Sequence, residues 1–300
     1  MLKRIKKLIC LGKSIKYRIA PYDPLRWLIS DTNKLSVFSI DGFIVDKNKK
    51  VTALFQKFEY EQENDKYKFR IEDLYRIYPE EIFKSIIKLS LILKCDYRIF
   101  IWSDKYNPDE DRTLLDKAFI QMISLGLKGE KIITHAVEKI SINDLEKLIF
   151  DYRKMSFEFV KPLNTGTSSV GCYLSNSTKN PWPGDVDGFI FNPITNQVIF
   201  ILEFKTHNIN TLTEDEHVGK YGAQDWRRFD VLYSLQRCLK DRTNHEPKLL
   251  YIAWGTGDFE NHKNIKVDEI KDNKIITTQI FPRPKFDTYS SDLYNSIIKL

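Results

Sequence analysis

The chain has 300 residues, 42% of them hydrophobic and 29% charged. Those proportions exclude a disordered chain, a collagen-like repeat and a small disulfide scaffold, and they allow one or two domains that each bury a core. No apolar run reaches the roughly 18–20 residues that cross a bilayer, so no membrane partner is expected.

The four cysteines, Cys10, Cys95, Cys172 and Cys238, are scattered, with no C-x-x-C pair and no matching His spacing. Read as reduced thiols, they fit a cytoplasmic setting and argue against a zinc site. The basic start is followed only by the short apolar LICLG and no small-residue cleavage site, so no signal peptide is expected.

The net charge of +6 is uneven. Residues 1–150 hold 28 Lys and Arg against 22 Asp and Glu, whereas residues 151–300 hold 19 of each. Seven basic residues fall within the first 18, before any acid. Lys3, Arg4, Lys6 and Lys7 read either as a solvated basic helix end or as contacts to a polyanion such as nucleic-acid backbone, with an anchor on acidic lipid as a third reading. Leu2, Ile5, Leu8 and Ile9 would share one face if this segment were helical.

Residues 35–45 and 51–60 read as strands joined by the turn-like DKNKK. Residues 79–94 read as a helix opened by Pro79, with Ile82, Phe83, Ile86, Ile87 and Leu89 as its apolar face. DYRIFIW (96–102) reads as a buried strand, residues 113–125 as a helix and KIITHAVEKI as a strand. Residues 141–160 read as a helix with Ser141 as N-cap and Asp144 three residues on. The second half then reads strand (SSVGCYLS), strand, strand, helix near 222–240 and strand (248–254), with weaker periodicity beyond about 260. The fold class this implies is α/β, a mixed central sheet flanked by helices.

The sequence also echoes itself. A shift of 146 residues lays Asp41-Gly42-Phe43-Ile44 on Asp187-Gly188-Phe189-Ile190, Phe58 on Phe204, Phe83 on Phe229, Leu89 on Leu235 and Leu93 on Leu239. DYRIFIW then falls on KLLYIAW with six extra residues. The expectation is two copies of one α/β unit. At the key position the first copy reads Lys57-Phe58-Glu59 where the second reads Glu203-Phe204-Lys205. Two domains are expected, residues 1–140 as a degenerate copy and 141–300 as the functional one.

The informative segment is Pro183-Gly184-Asp185-Val186-Asp187-Gly188, then a hairpin, then Ile201-Leu202-Glu203-Phe204-Lys205. In a strand, positions i and i+2 share a face, so Glu203 and Lys205 point the same way. Antiparallel pairing through the hairpin can bring Asp187 beside Glu203. Two carboxylates suit Mg²⁺ or Mn²⁺, which take oxygen ligands, and the lysine can orient or deprotonate a water. A cross-strand ion pair on a solvated face is the plain alternative. The apolar run VIFIL before Glu203 argues for a central strand instead.

At these residues the chain resembles the PD-(D/E)XK nuclease superfamily, with its restriction-endonuclease-like fold, over roughly residues 141–256. The resemblance implies Asp187 and Glu203 as metal-binding acids and Lys205 as the catalytic lysine. It implies Mg²⁺ (or Mn²⁺) as cofactor and Asp185, Glu158 and Gln224 as accessory residues, with Glu146 an alternative acid. The literal Pro-Asp pair is absent, because Gly184 intervenes. The Gln-x-x-x-Tyr spacing of some branches is unmet, because Arg228 stands where the Tyr would be, and the branch stays unassigned.

Arg227 and Arg228, with Arg237, Lys240 and Arg242, read either as a solvated helix face or as contacts to nucleic-acid backbone. His207 reads as a turn cap or phosphate contact. The implied activity is metal-dependent hydrolysis of DNA, in restriction, phage defence or repair, by a monomer or a homodimer. RNA, including tRNA, is the alternative substrate, and a non-catalytic nucleic-acid-binding protein is the alternative class.

Overall fold

The computed structural model describes the chain except residues 6, 16–18, 21, 31, 62–66, 161, 221 and 222, with backbone only at 223–226. In chain order the elements begin β1 (Leu2–Arg4), β2 (Leu8–Ile9), β3 (Ser36–Ile40), β4 (Gly42–Val45), β5 (Val51–Tyr60) and α1 (Ile71–Tyr75). They continue α2 (Glu80–Leu93), β6 (Asp96–Ser103), β7 (Ile120–Lys128), β8 (Lys131–Ile140), α3 (Ile142–Arg153), β9 (Thr165–Gly166) and α4 (Ser169–Ser177). Last come β10 (Val186–Asn192), β11 (Gln197–His207), α5 (Ala223–Thr243), β12 (Lys248–Gly255), β13 (Asn264–Lys271), β14 (Lys274–Pro282) and α6 (Ser291–Ile298).

These elements make a mixed α/β protein of two compact units. One holds residues 1–19 and 40–185, the other residues 20–39 and 186–300. Each is built on a six-stranded sheet flanked by helices. In the first, β5 carries β4 and β1 along one edge and is followed by β6, β7 and β8; in the second the order is β3-β10-β11-β12-β13-β14. Within each sheet one central pair is parallel, β5 with β6 and β11 with β12. A parallel pair needs a long crossover, and α2 and α5 supply it.

Several local expectations change. The basic start forms strands rather than a helix, because Leu2 is buried where β1 pairs with β5. Residues 113–125 hold a 3-10 turn (Arg112–Leu115) and the start of β7. That strand is buried on both faces, so its apolar run carries no period-two signal. SSVGCYLS is the helix α4, capped by Ser168, which accepts from Gly171 N at 2.9 Å. The region beyond 260 forms β13, β14 and α6.

Helix α3 has the expected capping box: Ser141 Oγ accepts from Asp144 N at 3.1 Å and Asp144 Oδ2 accepts from Ser141 N at 2.9 Å. It belongs to the first unit, however, not to the second. Its Ile142, Leu145 and Ile149 pack with Ile44, Phe55, Phe100 and Trp102, joined by Val170 and Leu174 of α4. The compact units therefore part at 185/186 rather than 140/141. In the second unit the matching face, Ile190, Leu202, Ile252 and Trp254, is covered by Leu293, Tyr294 and Ile297 of α6 and by Trp27. Trp27 meets Trp254 edge-on at 5.5 Å.

The two sheets share strand order and direction through β4-β5-β6-β7-β8 and β10-β11-β12-β13-β14. The first hairpin of each has a register shift at the same place, between Ile44 and Val45 and between Ile190 and Phe191. The pairing also corrects the alignment. Gly42 pairs with Phe55 and Gly188 with Leu202, so aligning the two glycines sets Gln56-Lys57-Phe58 on Glu203-Phe204-Lys205. Lys57 and Glu59 lie on the opposite face. The second hairpin is one residue longer, from Phe191 to Val198 against Val45 to Val51, and a one-residue slip exchanges the faces of a strand.

Cys10 and Cys172 form a disulfide within the first unit, with Cα atoms 5.5 Å apart. This corrects the reading of all four as reduced thiols: 162 residues separate the two, and only tertiary structure joins them. Cys95 and Cys238 are not disulfide-bonded. No described helix is long and apolar enough to cross a membrane.

Candidate functional site

The hairpin of β10 and β11 brings Asp187 and Glu203 together. Gly188 pairs with Leu202, so the next position sets Asp187 across from Glu203. Phe204 N donates to Asp187 Oδ2 at 2.7 Å, which holds that carboxylate at the head of its strand. Glu203 and Lys205 point to one face of β11, and both are half-buried. Leu202 and Phe204 point to the other, into the core with Trp27 and Trp254.

The first unit repeats the aspartate. Lys57 N donates to Asp41 Oδ2 at 3.0 Å, at the position equivalent to Phe204. The other two places differ: Gln56 stands for Glu203 and Phe58 for Lys205. The β5 edge beside Phe58 is closed by β1, with Arg4 paired to Phe58. Gln56 is buried and accepts from Tyr97 Oη at 2.6 Å. No pair of carboxylates faces a lysine at these positions in the first unit.

Arg228 on α5 engages Glu203 as a fork. Its Nε donates to Oε1 at 2.9 Å and its Nη2 to Oε2 at 2.8 Å. Planar guanidinium and carboxylate match in this geometry, which makes a strong ion pair at a half-buried site. Arg228, read from sequence as part of a solvated helix face or as a nucleic-acid contact, reaches Glu203, because the first turns of α5 pass over the face that Glu203 occupies. Arg227 is exposed.

The sheet extends this face with residues that motif reading missed. Glu203 neighbours Tyr251, which neighbours Asp268; Lys205 neighbours Ala253, which neighbours Lys266. Asp268 is fully buried and Lys266 nearly so. Lys266 Nζ donates to Glu216 O at 2.8 Å and lies 3.4 Å from Asp268 Oδ2, while Thr278 Oγ1 donates to Asp268 Oδ1 at 2.6 Å. The signal was Lys266-Val267-Asp268, the same i, i+2 charge alternation as in Glu203-Phe204-Lys205. Its position within the weakly periodic segment beyond about 260 hid it.

The other expected residues are dispersed. Asp185 is exposed at the end of the first unit, near enough to Asp41 and Lys57 to act on their charge. Glu158 is exposed in a loop of the first unit, and Glu146 accepts from Asn180 Nδ2 at 3.1 Å there. The Gln224 side chain and Lys6 lie outside the described residues. Lys7 is exposed. Lys3 is bound by Asp104 at 2.7 Å and Glu61 at 2.8 Å, which push its pKa up to about 12. Its charge is thus compensated. Arg4 lies 4.9 Å from the Tyr78 ring. His207 is a buried strut, with Nδ1 2.9 Å from Glu216 Oε2 and Nε2 2.9 Å from Thr211 Oγ1.

The donor set at Asp187 and Glu203 fits a hard divalent cation, since both groups are carboxylates on adjacent, rigid strands. One oxygen of Asp187 holds the Phe204 amide and both oxygens of Glu203 hold Arg228. A cation at Glu203 therefore competes with the guanidinium. Among the described residues no group of three or more His, Cys, Asp or Glu forms a ready cation cage.

Comparison with protein-family models and with curated proteins returns no match. Among solved structures, the chain is similar to the sex pheromone staph-cAM373 precursor at 9% identity, over 92% of this chain and 85% of that one. The TM-score of 0.17 is too low to carry an argument about fold or function.

Proposed function

We propose that the chain is a metal-dependent nuclease of the PD-(D/E)XK type, acting on DNA, with its working site in the second unit. The observation that carries this reading is the strand register that sets Asp187 across from Glu203, with Lys205 on the same face as Glu203. Asp187 and Glu203 would hold Mg²⁺ or Mn²⁺. Bound there, the ion would supply charge neutralisation at a phosphate and a more acidic water.

Lys205 orients a water, or takes a proton from it at Nζ, and its charge stabilises the phosphate as it becomes pentavalent. The Asp187–Phe204 hydrogen bond fixes the first acid before any ligand arrives. The buried Leu202 and Phe204 fix the strand that carries the other two groups. The first unit is a copy of the same architecture in which Gln56 and Phe58 have replaced the second acid and the lysine. Shared strand order and the shared bulge support that reading.

Wild type and Lys205→Ala should be incubated with supercoiled plasmid, linear duplex, single strands and total RNA, with and without Mg²⁺ or Mn²⁺. Cutting of DNA that needs the ion and falls by at least 10²-fold in the variant is expected, the usual scale for loss of a general acid–base group. Cutting confined to RNA would move the substrate class. Wild type that cuts nothing and binds neither ion would refute the enzyme reading.

A further inference from the structure

Arg228 and Glu203 are paired where a ligand can still reach them. Their side chains keep 23% and 16% of their surface open to solvent. Lys205 lies on the same face of β11, two residues along from Glu203. Arg227, the preceding residue on α5, is exposed. The guanidinium grips both carboxylate oxygens through Nε and Nη2. The fork that closes Glu203 to a cation therefore also withholds that edge of Arg228 from an anion.

Formal charge indicates what opens the pair. Asp187 and Glu203 are acids, Lys205 and Arg228 bases, so the four charges cancel. A divalent cation alone takes the oxygens of Glu203 and leaves the guanidinium beside a like charge. A phosphodiester alone takes the guanidinium and leaves the carboxylate of Glu203 beside a like charge. Either ligand by itself breaks a half-buried ion pair and sets equal signs together, which is costly where solvent screening is reduced. Both together leave no such contact: the cation sits on the carboxylates and the phosphodiester on the guanidinium. Guanidinium takes phosphate in the same two-pronged geometry as carboxylate, so the exchange sacrifices little.

We propose that Arg228 is the phosphate-binding residue of this site, handed from Glu203 to a phosphodiester when a divalent cation takes Glu203, so that cation and phosphodiester bind with positive coupling. The proposal rests on the nuclease reading for its two ligands, and on the Arg228–Glu203 fork for their coupling.

The test is the affinity for a short labelled duplex, read by fluorescence anisotropy in Mn²⁺ and in EDTA. Lys205→Ala, in which cutting is suppressed, is compared with Lys205→Ala/Arg228→Ala; the missing lysine is common to both and cancels. Mn²⁺ should raise duplex affinity about tenfold more where Arg228 is present, since linkage sets the coupling equal to the ion affinity that the fork withholds. Arg228→Lys on the same background keeps a charge beside Glu203, which protects the fold. It should give an intermediate factor, because a point charge does not hold both oxygens as a fork does. Equal enhancement with and without Arg228 overturns the proposal. Glu203→Gln separates the two ways of failing. If it weakens Mn²⁺ binding while the enhancements are equal, the metal site stands and the exchange at Arg228 falls. If it leaves Mn²⁺ binding unchanged, the nuclease reading falls and this proposal with it.

Discussion

Two side chains carry the most consequential electrostatics, and they behave differently. Lys57 in the first unit is 3% exposed; its Nζ donates to Thr167 Oγ1 and lies 4.5 Å from the Trp182 ring. Desolvation lowers its pKa, with Asp41 and Asp185 opposing. Between the lowered value and the ordinary lysine range, the unfolded chain binds more protons than the folded one. Stability should therefore rise with pH through that window. Lys57→Met should remove the rise, as read from urea midpoints across alkaline pH; an unchanged slope would rule out Lys57 as its source. Arg228 acts on Glu203 directly, and cation and guanidinium cannot both take the same carboxylate oxygens. Arg228→Ala should tighten Mn²⁺ binding about tenfold, the equivalent of about 1.4 kcal/mol, as measured by electron paramagnetic resonance of free ion. Glu203→Gln should weaken it in the same assay.

At the scale of elements, close approach decides what the strand ends tolerate. Gly255 closes β12, and a Cβ there would lie 2.3 Å from His262 Cγ and 2.4 Å from its Cβ. His262 cannot swing away. It is fully buried, its Nδ1 accepts from Gly257 N at 3.0 Å, and Nε2, which must then carry the proton, donates to Ile209 O at 2.8 Å. Gly255→Ala should cost about 2–3 kcal/mol in urea unfolding, an overpacking penalty at a site with no slack. The same scale explains the one-residue correction to the internal alignment. Helices α2 and α5 repeat their buried positions at a constant offset, Phe83 with Phe229, Leu89 with Leu235 and Leu93 with Leu239. The strands before them do not, because an extra hairpin residue shifts one strand and leaves the helix in place.

For the whole molecule, the disulfide is the longest covalent constraint. It ties Cys10, next to β2, to Cys172 in α4, and Thr167, just before that helix, accepts from Lys57 Nζ. Closing a loop of 162 residues restricts the unfolded chain strongly, and such links are worth about 2–4 kcal/mol. Cys172→Ser should lower the thermal midpoint of the first unit. The loss should match that of the wild type in dithiothreitol, and the two changes should not add. Additive losses would show that the bridge is not what the reductant removes.

The candidate site was largely legible without coordinates. Period two places Glu203 and Lys205 on one face, and the apolar run VIFIL places that face on a central strand. Both are local properties of the backbone and hold in any fold that keeps the strand. The capping box at Ser141 and the apolar face of α2 are local in the same sense. What the tertiary structure decided is non-local. Helix α3 could have covered either sheet, since an amphipathic helix does not encode which apolar face it meets. Cys10 found Cys172 through the chain's fold, not its spacing. Arg228 reached Glu203 because α5 crosses over β11, and Lys266 and Asp268 joined the same face through strands that periodicity did not reveal. Local pattern follows from steric periods of the backbone, whereas partner choice follows from burying whole faces at once, and that is settled only when every element is in place.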